Sequence, residues 1–238
     1  MESGSANIAV ATKDGGYVIG GEINYLNFLL VKMDSEKNVE WDTIHNVYYT
    51  DGVSDCIQTR DNGFVFVGQC NANLSPIAIK TDNAGAFLWT LTNSSVPENV
   101  FTPSFGSVDT TSDGGCVISG NARFGGQDKG FILKVSASGT TGSGGAVIFN
   151  NASHCNSIKS LKNGDLLISG GTKSLGSAGG EDIYIARTTV NGNPLYESTF
   201  GAADDEYTRS LQLTSDGGAV VVGTKNWVIK TDENGKAD

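Results

Sequence analysis

Two short acidic stretches are the first candidates for binding chemistry in this chain. Adjacent carboxylates occur at Glu181-Asp182 and at Asp204-Asp205-Glu206. Calcium takes about six to eight oxygen ligands, and neighbouring carboxylates on a loop can supply several of them. The D-x-D-x-D-G pattern of a calcium loop is absent, however, and the two histidines have no zinc-site spacing. The sequence therefore predicts no bound cofactor and leaves one alternative open, calcium at Glu181, Asp182, Asp204 and Asp205.

A second candidate site is a group of loop tyrosines. Tyr25, Tyr48 and Tyr49 cluster near the start of the chain, close to Asp51, and Tyr207 lies in its last long connection. A ring face packs on the apolar surface of a sugar or peptide, while carboxylates and amides bind hydroxyl groups. Single exposed tyrosines are also common on proteins that bind nothing there. We predict a ligand-binding platform at these five residues and keep that alternative open.

These candidates lie between five copies of one motif, typified by Thr111-Ser112-Asp113-Gly114-Gly115 followed by an apolar run and glycine. The third position of each copy is acidic or amide, and successive copies are about fifty residues apart. An Asp-Gly or Asn-Gly pair tolerates the positive φ of a tight hairpin turn, and the apolar run favours a strand. The third positions are Asp14, Asp61, Asp113, Asn163 and Asp216.

Each repeat contains four strand-like segments in the same order. A four-stranded antiparallel unit with this period is typical of a β-propeller, in which each unit is one blade. We predict an all-β fold, a five-bladed β-propeller whose last blade lacks its outer strand, or a segment of a larger ring. The predicted blades are 6–50, 51–100, 101–152, 153–203 and 204–238 of a single domain.

In such a fold the first strands line a central channel. Counting back from each turn places Asp55, Asp109 and Lys159 as the ionisable residues of two layers that face this channel. Glycoside hydrolysis uses two carboxyl groups at a matched separation, so Asp55 and Asp109 are candidates for binding or attacking a glycan. The alternative is a polar, hydrated channel without a reaction.

Two further sets of residues recur with the repeat. The third strand ends in a basic residue, and in three units an aspartate (Asp34, Asp82 or Asp232) follows two positions later. We predict a structural pair that fastens the outer hairpin, with a ring of cations for an anion as the alternative. The basic residues are Lys32, Lys80, Lys134, Arg187 and Lys230. The fourth strands carry rings that we expect to pack between blades, Trp41, Trp89, Phe149 and Tyr196.

The repeat resembles the DGG-type propeller repeats of bacterial and archaeal secreted or surface proteins, which are similar to quinoprotein-dehydrogenase-like propellers. The residues that carry this resemblance are Thr12 to Tyr17 with Leu30 to Asp34, and Thr214 to Gly218 with Val228 to Asp232. Units three and four depart from it, with Ser136 and Thr189 at the position of the outer aspartate. The resemblance implies a propeller fold and a secreted or cell-surface location.

Charge and cysteine content limit the partners. The chain has 26 acidic against 16 basic residues, a net charge of −10, which disfavours nucleic acid and anionic membrane surfaces. No apolar run is long enough for membrane insertion. The four cysteines, Cys56, Cys70, Cys116 and Cys155, form no C-x-x-C pair, and we expect them to be free thiols.

The sequence favours a non-enzymatic binding or surface-display module. Irregular segments fall at the loops between second and third strands and at the connections between blades, on one side of the predicted ring. Binding commonly resides in loops on a rigid scaffold, so a glycan or protein ligand is expected on this loop face. The alternatives are a glycan-active enzyme in the channel and a purely structural repeat of a longer surface protein.

Overall fold

The strand order of the protein, seen in a computed structural model, follows the sequence repeat. The structure describes residues 4–24, 27–45, 50–70, 75–92, 101–176 and 179–237. Within these ranges the regular secondary structure is entirely β, and no helix is present that could span a membrane. The strands form five antiparallel sheets, four of four strands and one of three. The predicted all-β architecture of five blades, the last with three strands, is confirmed.

Each sheet is a meander of consecutive strands, here called a blade. Blade 1 contains β1 (Gly4–Ala11), β2 (Tyr17–Ile23), β3 (Asn27–Met33) and β4 (Val39–His45). Blade 2 contains β5 (Thr50–Gln58), β6 (Phe64–Cys70), β7 (Ser75–Thr81) and β8 (Phe87–Leu91). Blade 3 contains β9 (Phe101–Thr110), β10 (Cys116–Phe124), β11 (Gln127–Val135) and β12 (Thr141–Phe149). Blade 4 contains β13 (His154–Ser160), β14 (Leu166–Thr172), β15 (Asp182–Thr188) and β16 (Pro194–Phe200). Blade 5 contains β17 (Thr208–Leu213), β18 (Ala219–Gly223) and β19 (Val228–Thr231).

The repeated Asp-Gly motif closes the first hairpin of a blade with one set of hydrogen bonds. In blade 1 the Gly15 N–H donates to the Thr12 carbonyl at 2.9 Å, and Gly15 has a φ of 84°. The Asp14 carboxylate accepts from the Thr12 hydroxyl and, at 3.1 Å, from the Gly16 N–H. This is a turn followed by a left-handed residue, which explains the glycine in the motif. The same side-chain contacts recur at Asp61, Asp113 and Asp216.

The basic residue of each third strand binds this first turn. Lys32 Nζ lies 3.0 Å from the Asp14 carboxylate, whereas Asp34 accepts hydrogen bonds from the main-chain N–H groups of Glu36 and Asn38. The predicted pairing with Asp34, Asp82 and Asp232 was wrong, because strand register sets Lys32 opposite Val18 and so beside the first hairpin. The other pairs are Lys80–Asp61 at 3.1 Å, Lys134–Asp113 at 2.8 Å, Arg187–Asp165 at 2.6 Å and Lys230–Asp216 at 2.8 Å.

The outer hairpins form in all blades that have a fourth strand, including units three and four. The Ser136 hydroxyl accepts from the Thr140 N–H at 3.1 Å, and the Thr189 hydroxyl accepts from the Asn193 N–H at 3.2 Å. The corresponding bond in blade 2 runs from the Ala86 N–H to the Asp82 carboxylate at 2.8 Å. A hydroxyl oxygen therefore serves at this turn where the other blades use a carboxylate.

Neighbouring blades pack through rings on the fourth strands. The Trp41 indole donates to the Asn83 carbonyl at 3.0 Å and lies over the blade 2 outer turn, where a Cβ on Gly85 would come within 2.8 Å of the ring. Trp89 makes the same contact with blade 3, where Gly139 has a φ of 83°. In blade 3, however, Val147 rather than Phe149 covers the next turn. Phe149 is buried at another level of the same interface.

The core of the molecule lies between the blades. Four apolar clusters fill the junctions between blades 1 and 2, 2 and 3, 3 and 4, and 4 and 5. The four cysteines are free, and Cys56, Cys116 and Cys155 are buried in these clusters. Burial raises the pKa of the Cys116 thiol to about 12, so it stays neutral at physiological pH.

Candidate functional site

A cavity of about 720 Å³ opens on the loop face, where blades 3, 4 and 5 meet. Its walls come from the β10–β11 hairpin, the connection from blade 3 to blade 4, the β14–β15 loop and the connection from blade 4 to blade 5. This volume lies within the range of small-ligand sites. The ionisable residues that line it are Asp128, Lys129, His154, Lys173, Glu181, Tyr207 and Arg209.

A histidine–glutamate pair forms the back of the cavity. His154 Nδ1 lies 2.9 Å from Glu181 Oε1, and Lys173 Nζ lies 3.6 Å from Glu181 Oε2. His154 begins β13 and Glu181 directly precedes β15, so sheet pairing brings them together across Gly171. A Cβ on Gly171 would lie 2.4 Å from the His154 ring and 2.6 Å from the Glu181 carboxylate. Glycine is required there because the pair occupies the space of a side chain.

The Glu181 carboxyl is ionised at neutral pH even though it is buried. Burial acts to raise the pKa of Glu181, but the interactions with His154 and with the charge of Lys173 outweigh burial and hold this pKa below its usual value. His154 Nε2 makes no hydrogen bond within the described part of the chain. The pair therefore presents one ring nitrogen to the cavity, with the imidazole oriented by a carboxylate.

A second acidic residue, Asp205, binds the loop that carries Glu181. The Asp205 carboxylate accepts from the Glu181 main-chain N–H at 2.7 Å and from the Tyr207 hydroxyl at 3.2 Å. These hydrogen bonds, first from Glu181 and then from Tyr207, lower the pKa of Asp205. The Tyr207 ring lies 6.1 Å from the His154 ring and forms part of the cavity wall. Asp205 thus positions both the loop that carries Glu181 and the aromatic wall.

The predicted calcium ligands lie in these same loops but are occupied by other partners. Glu181 binds His154, Asp205 binds the main chain, and Asp204 lies 2.6 Å from Lys225 Nζ. Asp182 is buried at the start of β15. Among the described residues, no three His, Cys, Asp or Glu side chains are grouped as ligands for a metal ion. Calcium binding at Glu181, Asp182, Asp204 and Asp205 stays a prediction from the sequence.

The two channel aspartates join neighbouring blades. Asp55 Oδ2 accepts from the Ser107 hydroxyl at 2.7 Å and from the Val108 N–H at 3.1 Å. Asp109 Oδ2 accepts from the Ser160 N–H at 2.7 Å. Burial raises the pKa of Asp109, opposed in part by this hydrogen bond. The first strands therefore use these carboxylates to bind the next blade, and neither residue lines the cavity.

The predicted tyrosine platform divides between two parts of the chain. Tyr25, Tyr48 and Tyr49 lie outside the described residues, as does the side chain of Asp51, whose backbone belongs to β5. Tyr207, the one member whose side chain the structure describes, lines the cavity. Sequence reasoning passed over His154, Lys173 and Arg209 as site residues. Lys173 lies in an irregular segment of the loop face, whereas His154 and Arg209 lie at the loop-face ends of the strands β13 and β17.

The comparisons with known proteins identify the fold. The sequence matches no protein-family model and no curated protein. Solved structures match over almost the whole chain. The chain has a β-propeller fold. At 11% identity and a TM-score of 0.63, it is similar to the WD40 domain of Neurospora crassa Pan2, with 95% of this chain and 61% of that one covered.

Two bacterial structures are comparably similar. A Bacteroides caccae protein of unknown function has 12% identity and a TM-score of 0.61, over 99% of this chain and 80% of that one. A periplasmic gluconolactonase of Pseudomonas aeruginosa has 12% identity and a TM-score of 0.62, over 93% and 67%. At these identities the comparison shows the fold alone, because propellers carry unrelated functions.

Proposed function

We propose that this propeller is a binding module that holds a short glycan, preferably one with a carboxylate, in the cavity of blades 3, 4 and 5. The observation that carries the proposal is a concentration of cations at one cavity of an acidic chain. Lys129, Lys173 and Arg209 line the cavity beside His154, against the carboxylates of Asp128 and Glu181. Elsewhere the chain has a strong excess of acidic residues.

Arg209 supplies the clearest free binding group. Its side chain is exposed at the start of β17, and it makes no hydrogen bond or ion pair within the described part of the chain. A guanidinium is a planar donor that matches a carboxylate with two parallel hydrogen bonds. Lys129, by contrast, already donates to the Asn150 carbonyl at 2.5 Å. Arg209 is therefore the group that we expect to bind the acidic function of the sugar.

The rest of the wall suits a polyhydroxylated ligand. Asn121, Gln127, Asn150 and Asn156 line the cavity and offer amide groups. The Tyr207 ring supplies an apolar surface on which the C–H face of a sugar can pack. This mixture of amides, charges and one aromatic ring is typical of a site that binds hydroxyl groups without a large apolar pocket.

Calorimetric titration tests the proposal with short uronic-acid oligosaccharides and their neutral counterparts. We expect the acidic sugars to bind and Arg209→Ala to weaken them about tenfold or more, since a charge-assisted bidentate bond contributes on the order of 1.5–3 kcal/mol. Tyr207→Ala should weaken acidic and neutral sugars alike. Lys162→Ala is a matched control, because Lys162 is an exposed lysine on the opposite face. The proposal is contradicted if Lys162→Ala abolishes binding while Arg209→Ala preserves it.

A second candidate function is general-base catalysis, and the His154–Glu181 pair favours it. A histidine whose Nδ1 is held by a carboxylate and whose Nε2 is open to a cavity can accept a proton from a bound water. The gluconolactonase named above shows that a protein of this fold acts on a sugar lactone. For this chain, release of acid from sugar lactones would be followed at constant pH. Activity lost in both His154→Ala and Glu181→Gln would favour catalysis over binding alone, and no activity in the unmodified chain would reject it.

Membership of the DGG-type repeats, and with it a secreted or surface location, is part of the proposal. It rests on the turn motif, whose aspartate, glycine and basic partner recur around the blades. Calcium at the acidic loops is the alternative that the sequence leaves open. Titration with calcium, followed by the melting temperature, tests it because a ligand of the native state raises stability by mass action.

A further inference from the structure

A second cavity, of about 410 Å³, lies on the face of the tight turns, at the internal junction between blades 4 and 5. Its walls come from the first turns of these two blades, from β15 and from the outer turn of blade 5. The volume lies within the range of sites for small molecules. This cavity shares no lining residue with the cavity on the loop face, so it is a separate candidate site.

The first turn of blade 4, which forms one wall, departs from the repeat at three positions. The other four blades have threonine, aspartate and glycine at the first, third and fifth positions of this turn, and blade 4 has Leu161, Asn163 and Asp165. The turn still forms, since the Gly164 N–H donates to the Leu161 carbonyl at 2.9 Å. Asn163 Oδ1 accepts from the Asp165 N–H at 3.1 Å. The departures therefore change the cavity wall and preserve the turn.

Two leucines give the cavity an apolar wall. Leu161 stands where the other blades have a threonine, and Leu213 stands directly before the first turn of blade 5. Both side chains are only partly buried, and both pack against the apolar cluster between blades 4 and 5. At the position of Leu213 the other blades have smaller or polar residues, namely Ala11, Gln58, Thr110 and Ser160. The junction of blades 4 and 5 thus offers apolar surface to a ligand at two positions that lack leucine in the other blades.

Lys162 brings a cation to this cavity. It occupies the second position of the turn, from which basic residues of other blades reach the next blade. Lys13 Nζ donates to the Thr59 carbonyl at 3.0 Å, and the Arg60 guanidinium donates to the Ser112 carbonyl at 2.8 Å. Lys162 is exposed and makes no such bond, and no ion pair, within the described part of the chain. Its ammonium group is therefore available to a carboxylate.

Glu233 brings an anion to the same cavity from the outer turn of blade 5. Its carboxylate is exposed, and within the residues that the structure describes it has no hydrogen-bond or ion-pair partner. Arg187 fixes this turn, because its guanidinium donates to the Glu233 carbonyl at 3.1 Å and to Asn234 Oδ1 at 3.0 Å. The charge of Arg187 is itself neutralised by Asp165, at 2.6 Å.

We propose that this cavity binds a small zwitterion with an apolar side chain, that is, an apolar amino acid or a short apolar peptide. Lys162 binds the carboxylate of the ligand, and Glu233 binds its ammonium group. The apolar side chain packs on Leu161 and Leu213. A ligand with a single charge would meet one attractive and one repulsive group, so the pair of opposite charges selects a ligand that carries both.

Calorimetric titration of the whole chain tests the site with leucine and with leucyl-leucine. We expect at least one of them to bind, and the tighter one identifies the source, a free amino acid or a peptide. Acetylation of this ligand removes its ammonium group, and amidation removes its carboxylate. Each change should weaken binding about fivefold or more, because a charge-assisted hydrogen bond is lost. Glycine or diglycine should also bind about fivefold more weakly, since neither has an apolar side chain.

Two variants assign the charged groups of the cavity. Lys162→Ala should weaken the ligand about fivefold, and amidation of the ligand should cause no further loss in this variant. Glu233→Gln should weaken it similarly, and acetylation should then cause no further loss. Both residues are exposed, so both variants should fold.

A third variant tests the apolar wall. Leu161→Thr restores the residue that the other four blades have at this position, so the turn should still form. We expect weaker binding of the leucine ligand and unchanged binding of its glycine counterpart. The melting temperature of the variant, measured alongside, shows that the blade is intact.

Two lysine and arginine variants serve as controls. Lys236→Ala removes an exposed lysine of the same outer turn that does not line the cavity. Arg209→Ala removes a cation of the cavity on the loop face. Both variants should bind the leucine ligand like the unmodified chain.

Three outcomes would overturn the proposal. The first is that neither leucine nor leucyl-leucine binds at millimolar concentration. The second is that acetylation and amidation leave the affinity unchanged, and the third is that Lys236→Ala weakens binding as strongly as Lys162→Ala. The two cavities share no residue, so failure of the sugar titration and failure of the leucine titration are independent results.

Discussion

The two faces of the propeller use charged residues differently. On the face of the tight turns, a basic residue and an acidic residue pair in every blade, at nearly the same distance. On the loop face, the His154–Glu181 pair occurs once and lies beside a cavity. Chemistry that is repeated in every blade builds the blade, whereas chemistry that occurs in one place is available for binding. Each of the following predictions tests this division.

Acidification should have the largest effect on the tight-turn face, because all the turn aspartates protonate together. The hydrogen bond from Thr12, followed by that from Lys32, lowers the pKa of Asp14 from 3.8 to about 2. Similar contacts lower the pKa values of Asp61, Asp113 and Asp216. A pKa lowered by folding means stability that is present above about pH 4 and lost as pH falls toward 2.

Melting curves between pH 5 and pH 2 measure this loss. We expect a fall of at least ~5 °C, since about 1 kcal/mol corresponds to roughly 2–4 °C in a chain of this size. Asp14→Asn should start lower and fall less. Equal slopes for the variant and the unmodified chain would show that the turns are not the titrating groups.

The next largest loss of stability should follow the removal of a single turn carboxylate whose lysine partner is buried. Lys80 is 3% exposed and its Nζ bonds Asp61 and the Thr81 carbonyl. Asp61→Ala leaves that buried cation with one partner, so we expect a loss of about 1–2 kcal/mol in the free energy of unfolding. Asp216→Ala is the matched control, since Lys230 is 36% exposed. A larger loss in the control, measured by urea unfolding, would contradict the role of burial.

A substitution on the loop face should have the opposite effect, because it should change ligand binding more than it changes the stability of the fold. A methyl group at Gly171 would displace the His154–Glu181 pair, because both side chains lie within 2.6 Å of its Cβ position. We expect Gly171→Ala to weaken the sugar about tenfold, or about 1.4 kcal/mol, and to lower the free energy of unfolding by less. Calorimetry and urea unfolding measure the two quantities. Unchanged affinity would show that the pair takes no part in binding.

The channel aspartates should show the smallest effect, since we assign them to blade packing. Burial raises the pKa of Asp109, so loss of its charge alone should cost little there. Asp109→Asn keeps one of the two oxygen acceptors, so it should lower the free energy of unfolding by less than Asp109→Ala, which leaves the Thr110 and Ser160 N–H groups without this acceptor and costs about 1–2 kcal/mol. Loss of lactone hydrolysis in Asp109→Asn, with stability preserved, would move the reaction to the channel.

The difference between repeated and single features also explains which parts of the structure could be predicted from the sequence. The Asp-Gly turns and the apolar runs after them recur at a fixed period, so the strand order and blade number follow from the pattern alone. The partner of Lys32 was missed because strand register, rather than nearness in sequence, sets it beside Asp14. His154 begins β13 and Glu181 ends the β14–β15 loop, and neither residue belongs to the repeated turn motif. Their meeting across Gly171 depends on the pairing of β13 with β14, which no local signal records.

The meander within each blade has a consequence for folding and evolution. Because the ladders between strands lie within single blades, one unit of about fifty residues can be gained or lost without changing the ladders of another. Stability then depends on neighbouring junctions, and among the described residues the apolar clusters join blades 1 and 5 to one neighbour each and blades 2 to 4 to two. Amide exchange in a single chain should therefore be fastest in the terminal blades. The cavity, built from blades 3 to 5, should tolerate the removal of blade 1.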